Sequence, residues 1–183
     1  MAELMSNTAL IVMDVQAGII DRAANKEQYL ANVQKAIDAA HLHAIPVFLI
    51  VVGFRAEAPE ISSNNKMFSS VPPHFINPQP IIAPTKEDLV VTKRRVSAFS
   101  GSDLEILLRV KHIDHLVLAG ITTSGVILST TCEAADKDYR ITILEDLCAD
   151  ADPEMHQILL SKVLPRRATV IKSEQWIEQL NSN

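Results

Sequence analysis

Several residue types and patterns that would assign a function class are scarce or missing in this chain of 183 residues. Its two cysteines, Cys132 and Cys148, are too few for a disulfide framework and form no CxxC metal or redox pair. The longest basic clusters, Lys93–Arg95 and Arg166–Arg167, are too short for a polybasic surface, and the net charge is −5. We therefore expect no nucleic-acid partner.

Membrane and export signals are also lacking. No stretch approaches the roughly 18 apolar residues that a membrane helix needs. The N-terminus has no basic region followed by an apolar core, so it does not resemble a secretory signal. These absences lead us to expect a cytoplasmic protein with no membrane partner.

The motifs for common cofactors are absent as well. Neither GxGxxG nor GxxxxGK[ST] occurs, so neither a dinucleotide nor ATP is indicated. The six histidines form no HxxxH or DxH pair at the end of a predicted strand, which disfavours a metal site. The serine-hydrolase pattern GxSxG is missing too. We expect an enzyme or binding protein that uses no cofactor and no metal.

What the chain does contain is an alternation of buried strands and helices. Continuous apolar runs of this kind are typical of strands that are covered on both faces. They are found at Thr8–Asp14, Pro46–Val52, Leu89–Lys93, His115–Gly120, Ile141–Asp146 and Ala168–Ser173. Helical patterns lie between them, at Asn25–His43, Ser102–His112 and Asp152–Leu164, and a further helix is expected after the turn near Gly125. The alternation predicts one α/β domain, residues 1–183, with a mainly parallel sheet.

One connection is unusually long. Between Gly53 and Asp88 the chain is rich in Pro, Ser and Asn and shows no regular pattern. A compact domain seldom keeps so long a segment unless it is functional. We expect it either to wrap the carboxyl edge of the sheet or to reach a neighbouring subunit.

Polar residues follow several of the predicted strands, where open α/β sheets bind their ligands. They are Asp14–Gln16, Arg55, Lys93, Gly120–Ser124 and Asp146. Asp14 is interpreted either as an acid at this edge or as a simple loop cap, and Lys93 either as its partner or as a solvated ammonium. As a pair on one edge, they favour acid–base chemistry.

The stretch "LAGITTSGVILSTTCEAAD", Leu118–Asp136, has the form of a strand, a turn and a helix start. Such a turn often carries a nucleophile, but the residue in that place is Val126. Cys132 is six residues further along, about 9 Å down the helix, and cannot replace it. Cys148 follows the fifth predicted strand among acidic residues that disfavour a thiolate.

Three segments together resemble the isochorismatase-like hydrolase superfamily, a group of cysteine hydrolases. The first, "ALIVMDVQAGI", contains Asp14 and Gln16, and the second, "VVTKRRVSAFSGSDLEILLR", contains Lys93 and Phe99. The third, "LVLAGITTSGVILSTTCEAADKDYRITILEDLCAD", surrounds Val126, and the match covers nearly the whole chain. The resemblance implies a three-layer α-β-α fold with six strands in the order 3-2-1-4-5-6.

The resemblance also implies a site with one member replaced. The family uses an Asp–Lys–Cys triad, and here Asp14 and Lys93 occupy two of its positions while Val126 stands at the cysteine position. It further implies a non-proline cis peptide at Ile121–Thr122 and backbone amides that hold an oxyanion. An isopropyl group neither ionises nor attacks, so covalent catalysis at position 126 is excluded. What remains resembles the isochorismatases proper, some of which lack the cysteine, where the Asp acts as a general acid on a vinyl ether.

Two hypotheses therefore stand. The first is a hydrolase in which Asp14 is the general acid or base and Lys93 tunes its charge; the second is a catalytically silent binding or assembly protein that keeps the pocket. We expect Val126 to face the pocket rather than the core, and the substrate to be a small anionic or planar molecule. The expected substrate-binding residues are Gln16, Phe54, Arg55, Phe99, Ile121, Thr122, Ser124 and Gly125.

A homo-oligomer, dimer or tetramer, is expected because this is usual in the family. The long connection also carries apolar residues that a monomer would expose at some cost. These residues are Met67, Phe68, Val71, Phe75 and Ile76.

Overall fold

The computed structural model describes residues 7–68 and 70–182 and contains a six-stranded parallel sheet. Its strands are β1 (Thr8–Met13), β2 (Val47–Val52), β3 (Leu89–Lys93), β4 (His115–Ile121), β5 (Arg140–Ala149) and β6 (Thr169–Ile171). They lie in the order β3-β2-β1-β4-β5-β6, and every neighbouring pair is parallel. The predicted fold class and strand order are confirmed.

Helices cover both faces of this sheet. They are α1 (Lys26–Leu42), α2 (Leu104–Val110), α3 (Leu128–Asp136), α4 (Pro153–Ile158) and α5 (Ser173–Asn181). A π-helical turn, Thr123–Ile127, joins β4 to α3, and a second one, Leu159–Val163, continues α4. The last helix, α5, was not among the predicted elements. None of the helices in the described part of the chain is long and apolar enough to cross a membrane.

The core consists of two clusters, one on each face of the sheet. On one face, side chains of α1 and α5 such as Val33, Ile37 and Trp176 pack against alternate residues of the strands. On the other face, Leu104, Leu108 and Ala134, from α2 and α3, pack against the remaining strand residues. Because β1 and β2 are buried at every position, their sequences are continuously apolar rather than alternating.

The long connection between β2 and β3 lies along the carboxyl edge of the sheet, which is one of the two arrangements that the sequence predicts. Phe54 donates its amide hydrogen to Phe75 O, and Ile81 donates its own to Val15 O. Four of the five apolar residues that the sequence assigned to a subunit interface are partly buried against the core, and Met67 alone among them is largely exposed. The connection therefore uses most of its apolar side chains to cover its own subunit.

Candidate active site

Asp14 stands where β1 ends, in a backbone conformation that few side chains adopt. Its φ of 59° lies in the left-handed region, where Asp and Asn are the best tolerated residues after glycine. The neighbouring strand end is equally constrained: Gly120 of β4 has a φ of 144°, and a Cβ there would lie 2.1 Å from Met13 O. The glycine thus allows β1 and β4 to approach closely, which brings Asp14 beside the turn after β4.

Lys93, the last residue of β3, reaches Asp14 from across β2. Its Nζ lies 2.9 Å from Asp14 Oδ2, and both side chains are almost completely buried. The same ammonium donates to the backbone oxygens of Arg95, at 3.0 Å, and Val96, at 2.8 Å. Since an ammonium has three hydrogens, these contacts use all of them. Lys93 therefore holds Asp14 in place and has no hydrogen left for a ligand.

Burial dominates the electrostatics of this pair. Desolvation raises the pKa of Asp14 from 3.8 to about 6, although the positive charge and hydrogen bond of Lys93 act in the opposite direction. Desolvation also lowers the pKa of Lys93, against the effect of Asp14. Asp14 Oδ1 is buried and has no hydrogen-bond partner among the described residues. A carboxyl group in this setting can be protonated near neutral pH, and Oδ1 is the oxygen left for the proton.

The turn after β4 uses its backbone amides within the chain. The Ile121–Thr122 peptide is cis, and Gly125 N donates to Thr122 Oγ1 at 3.1 Å. Ser124 donates both its amide, at 2.7 Å, and its hydroxyl, at 2.6 Å, to Asp150 Oδ2. Burial tends to raise the pKa of Asp150, but the hydrogen bonds from Ser124, together with those from the amides of Asp152 and Ala151, hold that pKa below its usual value. Two of the amides expected to stabilise an oxyanion are thus already occupied.

These groups line one cavity of about 360 Å³. This volume lies in the range of small-molecule sites. The cavity combines an apolar wall with a polar side. The wall is formed by Ile19, Val52, Met67, Phe68, Phe75, Val96, Ile121 and Val126, and the polar side by Asp14, Arg22, Ser70, Lys93, Thr122, Ser124, Gly125 and Asp150.

The structure brings seven of the predicted site residues together in this cavity. They are Asp14, Lys93, Val126, Ile121, Thr122, Ser124 and Gly125. Val126 lies in the π-helical turn, is 2% exposed, and belongs both to the cavity wall and to the core cluster beneath it. The expectation that it faces the pocket rather than the core is therefore only half right.

Two predicted binding residues near β2 serve the fold instead. Gln16 donates from Nε2 to Val52 O at 3.0 Å and accepts from Val52 N at 2.7 Å, so its amide fastens the end of β1 to that of β2. Phe54 is buried behind Phe68, with their ring centroids 5.0 Å apart, and it is Phe68 that lines the cavity. Neither residue lines the cavity, because the side chain of Gln16 is bonded to β2 and that of Phe54 packs against Phe68.

Arg55 and Phe99 also lie outside the cavity. Arg55 is exposed, and its Nη1 is 3.5 Å from Glu60 Oε1 within the long connection. Phe99 belongs to the core cluster on the α2 side and stacks on Tyr139 at 5.9 Å. The predicted roles of these two residues are corrected, since the chain after β2 and after β3 turns their side chains away from the cavity.

The carboxyl end of β5 differs from the prediction. A register shift against β4 lengthens β5 to Ala149, so Asp150 rather than Asp146 follows the strand. Asp146 instead accepts from the amide and hydroxyl of Ser173, which begins α5. Cys148 is buried, and burial first, then Asp146, raises the pKa of its thiol far above the usual range. Its thiol donates to Leu144 O and does not line the cavity.

The sequence reasoning missed Arg22 and Asp150. Arg22 is the last residue of a short 3-10 turn, Ile20–Arg22, and no pattern in the sequence marks it. Asp150 would have been found if the length of β5 had been known, because strand-end position is the signal that identified Asp14 and Lys93. The loop residues Met67, Phe68 and Phe75 had been noted as apolar but assigned to an interface rather than to this cavity.

Comparisons with known proteins identify the family and the fold of the chain. Residues 8–175 match the family model described as Isochorismatase domain. The isochorismatase family protein YecD of Escherichia coli O157:H7 is 31% identical over 180 residues, which cover 94% of this chain and 96% of YecD. N-carbamoylsarcosine amidase of an Arthrobacter species is 26% identical over 165 residues, covering 85% of this chain and 62% of that enzyme. A solved isochorismatase family protein of Burkholderia thailandensis superposes with a TM-score of 0.83 at 24% identity, covering 96% of both chains.

Proposed function

Because the chain belongs to the isochorismatase family, whose members include hydrolases of small molecules, we propose that it is itself such a hydrolase, with Asp14 as general acid. In this proposal Lys93 positions Asp14 and stabilises the carboxylate that remains after Asp14 has transferred its proton to the substrate. No side chain at position 126 forms a covalent intermediate. The substrate binds in the cavity between the turn after β4 and the long connection.

The observation that carries the proposal is the state of Asp14. One carboxylate oxygen is anchored by Lys93 and the other is unpartnered, in a cavity where burial raises the pKa to about 6. A general acid works best when its pKa is near the working pH. At pH 7 roughly one carboxyl in ten would be protonated before substrate enters, which is far more than for an ordinary aspartate.

The occupied amides of the turn favour one kind of reaction. Attack on an amide carbonyl develops an oxyanion that needs free N–H donors, and those of Ser124 and Gly125 are already bonded to Asp150 and Thr122. Acid-catalysed hydrolysis of a vinyl ether develops a cation instead. Asp14 would transfer its proton to the terminal vinyl carbon, and water would add to the oxygen-bearing carbon and return a proton to Asp14. The resulting hemiketal would separate into an alcohol and a ketone.

Val126 supports the same chemistry. An isopropyl group in the cavity wall excludes water from the carboxyl group, and desolvation favours the protonated acid. A thiol at that position would add a second titrating group beside Lys93. The replacement therefore suits an aspartate that donates a proton better than one that activates a nucleophile.

The test is turnover by an Asp14→Asn variant on a panel of vinyl ethers, amides and carbamates. Asn is close to isosteric and tolerates the left-handed backbone at this position. We expect the variant to fold and to lose turnover by at least about a hundredfold, which is the usual contribution of a general acid. Asp38→Asn, an exposed change on α1, is the matched control and should leave turnover unchanged.

Two results would contradict the proposal. Full activity in Asp14→Asn would exclude the general-acid role. A wild-type protein that binds members of the panel but hydrolyses none would instead support the catalytically silent binding protein. In that case the Asp14–Lys93 pair would persist because removing one partner of a buried ion pair is costly.

We also propose a homo-oligomer, a dimer or a tetramer. Fewer exposed apolar side chains support an oligomer than the sequence indicated. Of the five residues named in the long connection, Met67 is the one that is strongly exposed, at 67%. Other exposed apolar side chains lie on α2, where Ile106 is 65% and Val110 72% exposed, one helical turn apart. An interface would remove these side chains from water.

A further inference from the structure

The described cavity lining contains two cationic side chains, Lys93 and Arg22. The ammonium of Lys93 donates its three hydrogens to Asp14, Arg95 O and Val96 O. A guanidinium has five N–H donors, and one hydrogen bond is seen for Arg22, from Nη1 to Gly18 O at 3.1 Å. Arg22 is therefore the cation in this cavity that retains donors for a ligand.

Arg22 is an exposed residue on the loop that follows β1. Gly18 has a φ of 77°, and a Cβ there would lie 2.1 Å from the His74 ring, so the long connection sits directly on this loop. Gly18 O accepts from Arg22, which restrains the guanidinium near its backbone. Arg22 also lines a neighbouring groove together with His156 and Asp150, and so it lies where the cavity opens towards that groove.

We propose that Arg22 binds the carboxylate of the substrate at this opening and makes the site selective for small organic acids. This inference rests on the proposed hydrolase function, since it names the substrate class of the same cavity. A carboxylate matches the planar fork of a guanidinium, which can donate two parallel hydrogen bonds. The apolar wall on the other side, including Phe68 and Phe75, suits the planar or hydrocarbon part of such a molecule.

An anionic substrate would also assist the chemistry. A negative charge brought into the same dry cavity disfavours the ionised form of Asp14 and raises its pKa further. The acid would then be more fully protonated with substrate bound than without it. The positive charge of Arg22 offsets the desolvation of the substrate carboxylate, while Lys93 keeps the Asp14 side chain oriented.

Arg55 provides a matched control. It was the arginine that the sequence assigned to substrate binding, but it is exposed, lies outside the cavity and is 3.5 Å from Glu60. Replacing it removes the same charge from the same part of the molecule without changing the cavity. A long-range effect of net charge would therefore appear in both variants, and a direct contact only in the Arg22 variants.

The experiment compares the binding of benzoate and benzamide, which share a shape and differ in charge, by calorimetry at pH 7. We expect the wild-type protein to prefer benzoate by about tenfold or more, and Arg22→Ala to abolish that preference by weakening benzoate alone. Arg22→Lys should restore part of it, because an ammonium pairs with a carboxylate without the bidentate geometry. Arg55→Ala should behave as the wild type does.

Three outcomes would overturn the inference: no preference for benzoate in the wild-type protein, including no measurable binding of either compound; equal weakening of both compounds in Arg22→Ala; or an equal effect of Arg55→Ala. Turnover separates this result from the general-acid proposal. If Asp14→Asn is inactive while Arg22→Ala shows no selective loss, the hydrolase stands and the role of Arg22 fails. If Asp14→Asn stays active, the proposed function itself fails, whatever Arg22 binds.

Discussion

The raised pKa of Asp14 makes the stability of the protein depend on pH in a direction that is unusual for an aspartate. In the folded chain this pKa is about 6, and 3.8 is its ordinary value, expected in the unfolded chain. Between these two pH values the folded protein holds a proton that the unfolded chain has released. The stabilisation is therefore complete below about pH 4 and is lost as the pH rises through 6. At about 1.4 kcal/mol for each pH unit, the loss is about 3 kcal/mol.

A second, half-buried group acts in the opposite direction over nearly the same range. His115, on β4, lies between Thr8 and Thr142, with ring nitrogens 3.1 Å and 2.9 Å from their hydroxyl oxygens. Burial first, and then the charge of Arg140, lowers its pKa from 6.5 to about 4. Its neutral form thus contributes stability that is present above pH 6.5 and is lost as the pH falls towards 4. The two effects partly cancel in the wild-type protein, so its own pH profile does not isolate Asp14.

The difference between the wild-type protein and Asp14→Asn isolates it, because both contain His115. Urea unfolding of the two proteins between pH 4 and pH 7 should give free energies of unfolding whose difference changes by about 2.4 kcal/mol, with the variant gaining relative to the wild type as the pH rises. Asp38→Asn, measured in parallel, is the control for removing an exposed carboxylate. If the Asp14→Asn difference were constant to within about 0.5 kcal/mol, Asp14 would titrate like an exposed aspartate and the burial argument would be refuted.

Two further predictions concern the sulfur chemistry and the assembly of the protein. Iodoacetamide should leave the turnover of the wild-type protein intact, because no thiol lies among the described residues of the cavity and Cys148 is buried with a strongly raised pKa; inactivation that ligand prevents and Cys148→Ser abolishes would show a relocated nucleophile. The proposed homo-oligomer should give a mass of at least twice 20.1 kDa in light scattering at micromolar concentration, and a monomer would contradict it. A double change of Ile106 and Val110 to Lys should shift that mass downwards if α2 forms the interface.

The sheet could be predicted from the sequence because its strands are buried on both faces. The runs at β1, β2 and β4 give their positions to within a residue, because a strand with almost no solvent-exposed position is continuously apolar. β3, at the edge of the sheet, is partly exposed but was also found as an apolar run. The strand order could not be obtained from these runs and followed from the resemblance. The end of β5 was misplaced because the register shift against β4 leaves no trace in the composition of the strand.

The sequence predicted the site residues that lie at strand ends and missed those whose positions depend on the conformation of a loop. Asp14, Lys93 and the turn around Val126 follow their strands directly, so parallel pairing brings them to one edge. No sequence pattern distinguishes Arg22 from Arg55, since both are lone arginines in loops that follow a strand. The conformation of each loop decides between them: Arg22 donates to Gly18 O in a loop that is covered by His74, whereas Arg55 is directed to Glu60.

The described lining of the cavity carries its sulfur atom on a methionine in the long connection, and not on a cysteine at position 126. Met67, 67% exposed, is the sulfur-bearing residue among the described lining residues, and it carries a thioether. Peroxide converts an exposed thioether to a sulfoxide, which is polar and which cellular reductases can reverse, whereas a catalytic thiolate can be driven to irreversibly oxidised acids. Oxidative stress would therefore change the polarity of the cavity entrance and leave the Asp14 carboxyl group behind it chemically intact.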